Sequence, residues 1–397
     1  MLVTSTDPAH SLADALGVPL GDEPSAVPGA EGPLFAQQID AQERLERHWR
    51  EVRDYLVALL SWGGVGDVHA EELVLLPGLD ELFALIDLDA QARSGDHDLI
   101  VVDCAPTAET LRLLALPEAL RFYVDRVLGP GWRVARALRP LTRSRGERAG
   151  TGPVPVPDDD VFVGLRRVHR DLAAVHALLQ DPARSSIRLV ANAERVVVQE
   201  TERTATSLSL FGYAIDAVVV NRLLPDAVTD PYLDRWKRRQ ADHLAGLAER
   251  FAPTPVLTAP LFGDELEGPD GLAALGDALY GDVDESAVLA DGRPLTITEV
   301  DGHPRLRLAL PFVAREDVAL HRHGSDLHVK VAGVARRIPL PLALQRADIV
   351  GAGVVDGWLE IRFRAVRSVS DRAATRPAPT GRQDPDDGAP PATAVGS

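Results

Sequence analysis

At 397 residues the chain is too long for one compact domain and fits two. It is 45% hydrophobic and 25% charged, ordinary for a soluble globular protein, and its net charge of −17 sets it against nucleic acid and anionic lipid as partners. One cysteine, Cys104, excludes an internal disulfide and any multi-cysteine zinc or iron–sulfur centre, and no apolar run approaches membrane-spanning length. No basic region followed by a long apolar core opens the chain, so the expectation is a cytoplasmic protein without a signal peptide.

Leu2-Val3-Thr4 predicts the end of a short buried strand, broken at Asp7-Pro8 because the residue before proline is biased away from helix. Helical character follows from Ser11 to Leu16. Residues 40–60 carry apolar side chains at helical spacing and predict an amphipathic helix, and residues 71–93 predict one or two more around Pro77-Gly78. LIVV at 99–102, closed by Asp103, is a continuous apolar run of the kind buried on both faces of a parallel sheet. Residues 140–158, rich in Pro, Gly and Arg, predict a mobile loop. SIRLVAN (186–192) and DAVVVN (216–221) predict two further buried strands, with a helix between them from about Val198 to Leu210. Strands alternating with helices point to an α/β fold with a parallel sheet.

After Gly281 the period changes to two. LTITEV, RLRLALP, DVALHRHG, DLHVKVAG, VARRIPLP and WLEIRFR alternate apolar and polar residues between Leu295 and Ala365. Turns separate them at Asp301-Gly302, Gly324, Gly333 and Asp356-Gly357, which predicts a small antiparallel β-sandwich. Residues 371–397 hold almost no large apolar side chain and are expected to be disordered.

Several residues carry candidate chemistry. Four aliphatics ending in Asp103 resemble the acidic strand of a phosphate-loop NTPase, where the strand end delivers a carboxylate to the magnesium shell, directly or through water. A structural strand end is the competing explanation. Ala105-Pro106-Thr107 then leads into ETLRLL, a loop-to-helix junction that can move when a γ-phosphate is lost. Asp7 occupies a second loop after a strand, where a carboxylate can orient an attacking water, with Pro8 and His10 fixing the loop. A surface histidine capping a helix explains His10 as well. Asn221 ends DAVVVN, and its amide offers a donor and an acceptor to a base edge, although polar strand ends are common. Trp62-Gly63-Gly64-Val65-Gly66-Asp67 imitates part of a phosphate loop, but it lacks the Lys and Ser/Thr and follows a helix, so it is expected to be a helix-ending turn.

Together these residues resemble the ArsA family, the ATPases that drive bacterial arsenite pumps and their eukaryotic relatives that carry tail-anchored membrane proteins. STDPAHSLADALG is similar to the family's switch I, and DCAPTAETLRLLALPEAL to its switch II. PGLDEL, VVVQETERTATSLSLFGYAIDAVVVNRLLP and PLFGDELEGPDGLAALGDALYG are similar to the helical insert, the strand–helix–strand with the adenine-reading Asn, and the closing segment. The resemblance spans residues 1 to about 283 and implies a phosphate-loop-type parallel sheet flanked by helices, with its first strand missing. It implies ATP and Mg2+, with Asp7 orienting water, Asp103 on the magnesium side and Asn221 reading the base. Pro8, His10, Pro106 and Thr107 join the nucleotide contacts. It also implies a homodimer and a protein or membrane-protein client. Residues 295–366 resemble the small heat-shock (α-crystallin-like) sandwich of some bacterial members.

The sequence departs from the family in four respects. No GKGGVGKT-like phosphate loop is present, with its strand and helix, so the expectation is that the natural protein starts further upstream and that the chain as it stands is inactive. Ala108-Glu109 replace the usual Gly-His of switch II. The paired zinc cysteines of the targeting branch and the arsenite cysteines of the pump branch are missing, and Met1 is the only methionine, which disfavours a Met-rich client groove. The alternatives to an ATPase are a nucleotide-free scaffold or a chaperone-like protein acting through the sandwich.

Overall fold

The computed structural model of the chain describes residues 1–6, 11–39, 79–104 and 159–364. The predicted helix at 40–60, the glycine-rich turn at 62–67, the loop at 140–158 and the tail at 371–397 lie outside the described residues.

Two parallel sheets form the N-terminal part. In the first, β1 (Leu2–Ser5) pairs in parallel with β3 (Phe35–Gln38) on one side and β4 (Ile100–Asp103) on the other, and the short β2 (Ser25–Ala26) runs antiparallel along β3. β1 is central, so even its polar residues Thr4 and Ser5 are buried, and Thr4 is satisfied by Gln37 Nε2 donating to its hydroxyl at 3.1 Å. Helix α1 (Ser11–Leu16) closes one end, burying Leu16 with Val27 and Ala36. The second sheet has the order β5-β6-β7: Ile187–Asn192, Ile215–Leu223 and Val256–Pro260. Its middle strand carries Val218 and Val220 at full burial. Helix α4 (Arg195–Phe211) connects β5 to β6, and α5 (Pro231–Phe251) and α6 (Gly268–Tyr280) follow β6 and β7.

Helices α2 (Leu79–Ser94) and α3 (Asp159–Gln180) tie the sheets together. Ile86, Leu88, Leu172 and Val175 share one core with Leu189, Val218 and Val220, and Ile100 and Val102 of β4 pack on that same core. The prediction that 99–102 is buried on both faces is corrected here: Val101 is 42% exposed and no β4 residue is fully buried. Among the described residues β4 is the last strand of its sheet, and no described strand pairs with its outer flank. β5 is likewise an end strand, and Val190 is 67% exposed. Among the described residues no helix is long and apolar enough to cross a membrane.

The C-terminal part is an antiparallel sandwich. One sheet is β10-β11-β12 (Val318–His323, Asp326–Val331, Val334–Pro339). The other is β13-β14-β9-β8 (Asp348–Val355, Trp358–Arg364, His303–Ala309, Leu295–Val300). A single-turn helix, α7 (Leu342–Gln345), links the two sheets. Leu306, Leu308, Val329, Ile338, Ile361 and Phe363 alternate inward to build the core. The Asp-Gly pairs work as the sequence predicts: Asp301-Gly302 and Asp356-Gly357 all have positive φ, the two-residue hairpin geometry that matches strand twist.

The two parts share side chains. Leu210, in the last turn of α4, is fully buried in the sandwich core. Arg336 of β12, 5% exposed, donates to the Leu210 carbonyl. Thr206 donates to the Pro311 carbonyl at 2.7 Å, and the Phe251 and Phe312 rings lie 4.9 Å apart. Val334 packs on both cores.

Candidate functional site

The strand pairing dictates the first cluster. Ser5 and Asp103 are register partners at the carboxyl ends of β1 and β4. The Ser5 hydroxyl donates to Asp103 Oδ2 at 3.3 Å. The Thr6 N–H donates to the Asp103 carbonyl at 3.0 Å, and the Thr6 hydroxyl reaches the same oxygen at 3.4 Å. The two strand ends therefore lie side by side at Thr6 and Asp103. Asp103 is exposed, as is Cys104, which forms no disulfide. Asp7, Pro8, His10, Pro106 and Thr107 lie outside the described residues.

The second cluster sits at the end of β6. Asn221 is half-buried and in register with Asn192, the last residue of β5. Its Oδ1 accepts the N–H of Arg222 at 2.8 Å. Arg222 has φ 57, the left-handed region that a side chain adopts only when its surroundings impose it. Gln240 of α5 bonds the backbone on both sides of the next residue, accepting from Leu224 N–H at 2.9 Å and donating to the Arg222 carbonyl at 3.2 Å. Lys237, one turn earlier, donates to the Asp226 and Val228 carbonyls at 3.2 Å each. Asp230 caps α5 by accepting from Tyr232 N–H at 2.8 Å, and Pro231 at the first turn fixes the helix start.

Asp103 and Asn221 thus each lie at the carboxyl end of a parallel strand, where open α/β sheets bind ligands. Asp103 is brought together with Ser5 and Thr6, and Asn221 with Asn192, Arg222 and Gln240. Ser5, Thr6, Asn192 and Gln240 were not singled out from the sequence. Asn192 could have been, because LVAN ends as VVVN does. Gln240 could not, since it lies 18 residues beyond Arg222 in a highly charged helix.

Hard oxygen donors suit Mg2+, and an exposed strand-end carboxylate beside a hydroxyl is a fitting partial shell for it. Among the described residues no group of three His, Cys, Asp or Glu side chains could hold a metal. Magnesium in phosphoryl-transfer sites needs no such group, because phosphate and water oxygens complete its shell.

Residues 1–281 match the family described as anion-transporting ATPase, ArsA, and residues 301–363 match the HSP20-like domain found in ArsA. A protein of Chlorobaculum tepidum, described as an arsenical pump-driving ATPase, is 32% identical over 362 residues, 91% of this chain and 88% of that one. A protein of Aquifex aeolicus with the same description is 30% identical over 355 residues, 88% of each chain. The ATPase GET3 of Mycosarcoma maydis is 28% identical over 276 residues, 68% of this chain and 79% of its own. With the family model matching residues 1–281 and relatives matching over most of its length, the chain belongs to the ArsA ATPase family.

Proposed function

We propose that this chain works as an ArsA-type ATPase in which two neighbouring acidic loops respond to the terminal phosphate of ATP. The observation that carries the reading is the Ser5–Asp103 pairing, which starts both loops from one point of the sheet. A phosphate gained or lost there acts on both together. In this reading Asp7 orients the attacking water, Asp103 holds Mg2+ directly or through water, and Asn221 reads the base. Pro8, His10, Pro106 and Thr107 complete the nucleotide contacts. The single ATPase half works as a homodimer in the cytoplasm, without interfacial zinc, on a protein or membrane-protein client.

The reading needs a phosphate cradle, and no GKGGVGKT-like motif occurs among residues 1–397. Among the described residues β4 and β5 are both end strands bordering one core, with Val101 and Val190 exposed on them. A parallel strand seated on these edges would join the two sheets and bring a glycine-rich turn to the strand ends that carry Asp103 and Asn221. The test is calorimetric. The chain alone is expected to bind Mg-ATP weakly or not at all, and the chain preceded by a strand–GKGGVGKT–helix segment is expected to bind and hydrolyse it. In that extended protein Asp7→Asn is expected to lower turnover by about 10²-fold or more. An extended protein that binds no ATP sinks the reading, and an unchanged rate removes Asp7 from its role. Ala108-Glu109, in place of the usual Gly-His of switch II, favour a second reading, a nucleotide-free scaffold. That reading gains if client binding persists while the extended protein stays inert.

A further inference from the structure

We infer that Gln240 is the positioning residue for Asn221: it holds the Asn221 carboxamide with its NH2 turned outward, so that a purine is recognised here through an acceptor on its ring. The inference rests on the reading of Asn221 as base reader.

The argument starts from the backbone beyond β6. The Leu223 carbonyl accepts from Leu261 N–H at 2.7 Å, which ties one flank of the exit to the segment after β7. The polar groups on either side of it, the Arg222 carbonyl and the Leu224 N–H, both go to Gln240. A carboxamide carries the same donor and acceptor as a peptide group, so Gln240 stands in for a neighbouring strand just past the last β5–β6 pair, Asn192 and Asn221. Gln240 lies on the inward face of α5 with Leu233, Leu244, Leu247 and Phe251, and so the clamp is anchored by the packing of the helix.

The clamp acts on Asn221 through Arg222. Held at its carbonyl, Arg222 keeps its left-handed φ of 57, and its N–H turns back onto Asn221 Oδ1 at 2.8 Å. A backbone N–H can only donate, which fixes which end of the Asn221 amide is oxygen. The oxygen is engaged by the chain itself, and no bond from the NH2 is described. Two N–H donors are therefore presented at the strand end. Purine N7 accepts such a bond, and a base with carbon at that position does not.

The test uses the full chain and two probes without phosphate, adenosine and 7-deazaadenosine, so that the phosphate cradle plays no part. In amide hydrogen exchange on the ligand-free chain, Gln240→Met is expected to speed exchange at Leu224 and Arg222 by about tenfold or more, the loss expected for one net hydrogen bond. Gln240→Glu keeps the acceptor for Leu224 N–H and is expected to speed only Arg222. Titration followed by NMR is expected to show the wild type preferring adenosine over 7-deazaadenosine by about tenfold, and Gln240→Met binding both equally weakly. No adenosine-induced shift in the wild type overturns the base-reader role on which the inference rests. Equal binding of both probes by the wild type leaves that role standing and overturns the orientation of the amide. A preference that survives Gln240→Met, or unchanged exchange at both amides, overturns the part given to Gln240.

Discussion

Arg188 and Asp216 form the most heavily bonded ion pair among the described residues. Asp216 is fully buried, and Arg188 grips both its oxygens at 3.2 and 3.3 Å. The same guanidinium donates to the Tyr280 hydroxyl at 3.1 Å and to the Glu285 and Ala287 carbonyls at 2.6 Å each. Burial alone would lower the Arg188 pKa, but its bonds to Asp216 and Tyr280 outweigh it and raise the value. Arg188→Met would leave a buried carboxylate without its cation and is expected to cost about 3–5 kcal/mol in urea denaturation. His176 titrates the other way. Burial first, and the nearby Arg336 charge second, lower its pKa from 6.5 to about 4, while its Nδ1 lies 3.1 Å from the Tyr213 hydroxyl. As pH falls, the unfolded chain therefore takes up this proton before the folded one. The contribution is intact above pH 6.5 and drains away toward pH 4, by up to about 3 kcal/mol. His176→Gln is expected to flatten that part of the stability–pH curve, measured by denaturation at intervals between pH 7.5 and 4.5. The placing of Asp103 and Asn221 near strand ends was legible in the sequence because each follows an aliphatic run, although β6 continues two residues past Asn221 to Leu223. Gln240 was not, because its two partners are set by how α5 folds back over β6.

Among the elements, α4 depends most on one residue at its end. Gly212 adopts φ 89, and the N–H groups of Gly212 and Tyr213 return to the Ser209 and Leu208 carbonyls at 3.0 Å each, the double bond that stops a helix. A Cβ there would stand 3.1 Å from Gln180 Nε2 and 3.2 Å from both terminal nitrogens of Arg336. Gly212→Ala is expected to destabilise by about 1–3 kcal/mol through backbone strain, with further loss where Arg336 is displaced, read as a lowered Tm. The elements that the sequence foretold are those with a clear period. Six strands of the sandwich fell on six alternating runs, but β13 did not stand out, since Gly351 and Gly353 interrupt it. A Cβ at Gly351 would meet a terminal nitrogen of Arg362, its exposed partner on β14, at 2.7 Å, a side chain that can swing aside. β3 was missed for the opposite reason, because its buried positions include the polar Gln37 and Gln38. The exposure of β4 was misjudged because an aliphatic run reports the preference of a strand and not how many neighbours it finds.

At the scale of the whole molecule, the sandwich and the parallel sheets are bound by residues that belong to both. Leu210 sits in the sandwich core although it belongs to α4, and Phe312 and Val334 pack on the core of the parallel sheets. One cooperative unfolding transition is expected for the wild type. Leu210→Asp, which places a charge at a fully buried position, is expected to separate it into two calorimetric transitions. The change of period after Gly281 made the two folds legible in the sequence. Nothing in a linear pattern reveals that Arg336, 126 residues from Leu210, closes the joint between them.

That joint makes α4 a lever. Its first turn follows Asn192 at the strand ends, and its last is pinned by Arg336, with 17 residues, or roughly 25 Å of rigid rod, between. A tilt of about 10° about the pinned end would carry the far end through roughly 4 Å. Pushed from the strand ends, the same rod would instead swing the sandwich, so a displacement near Asn192 would reach the C-terminal domain through α4.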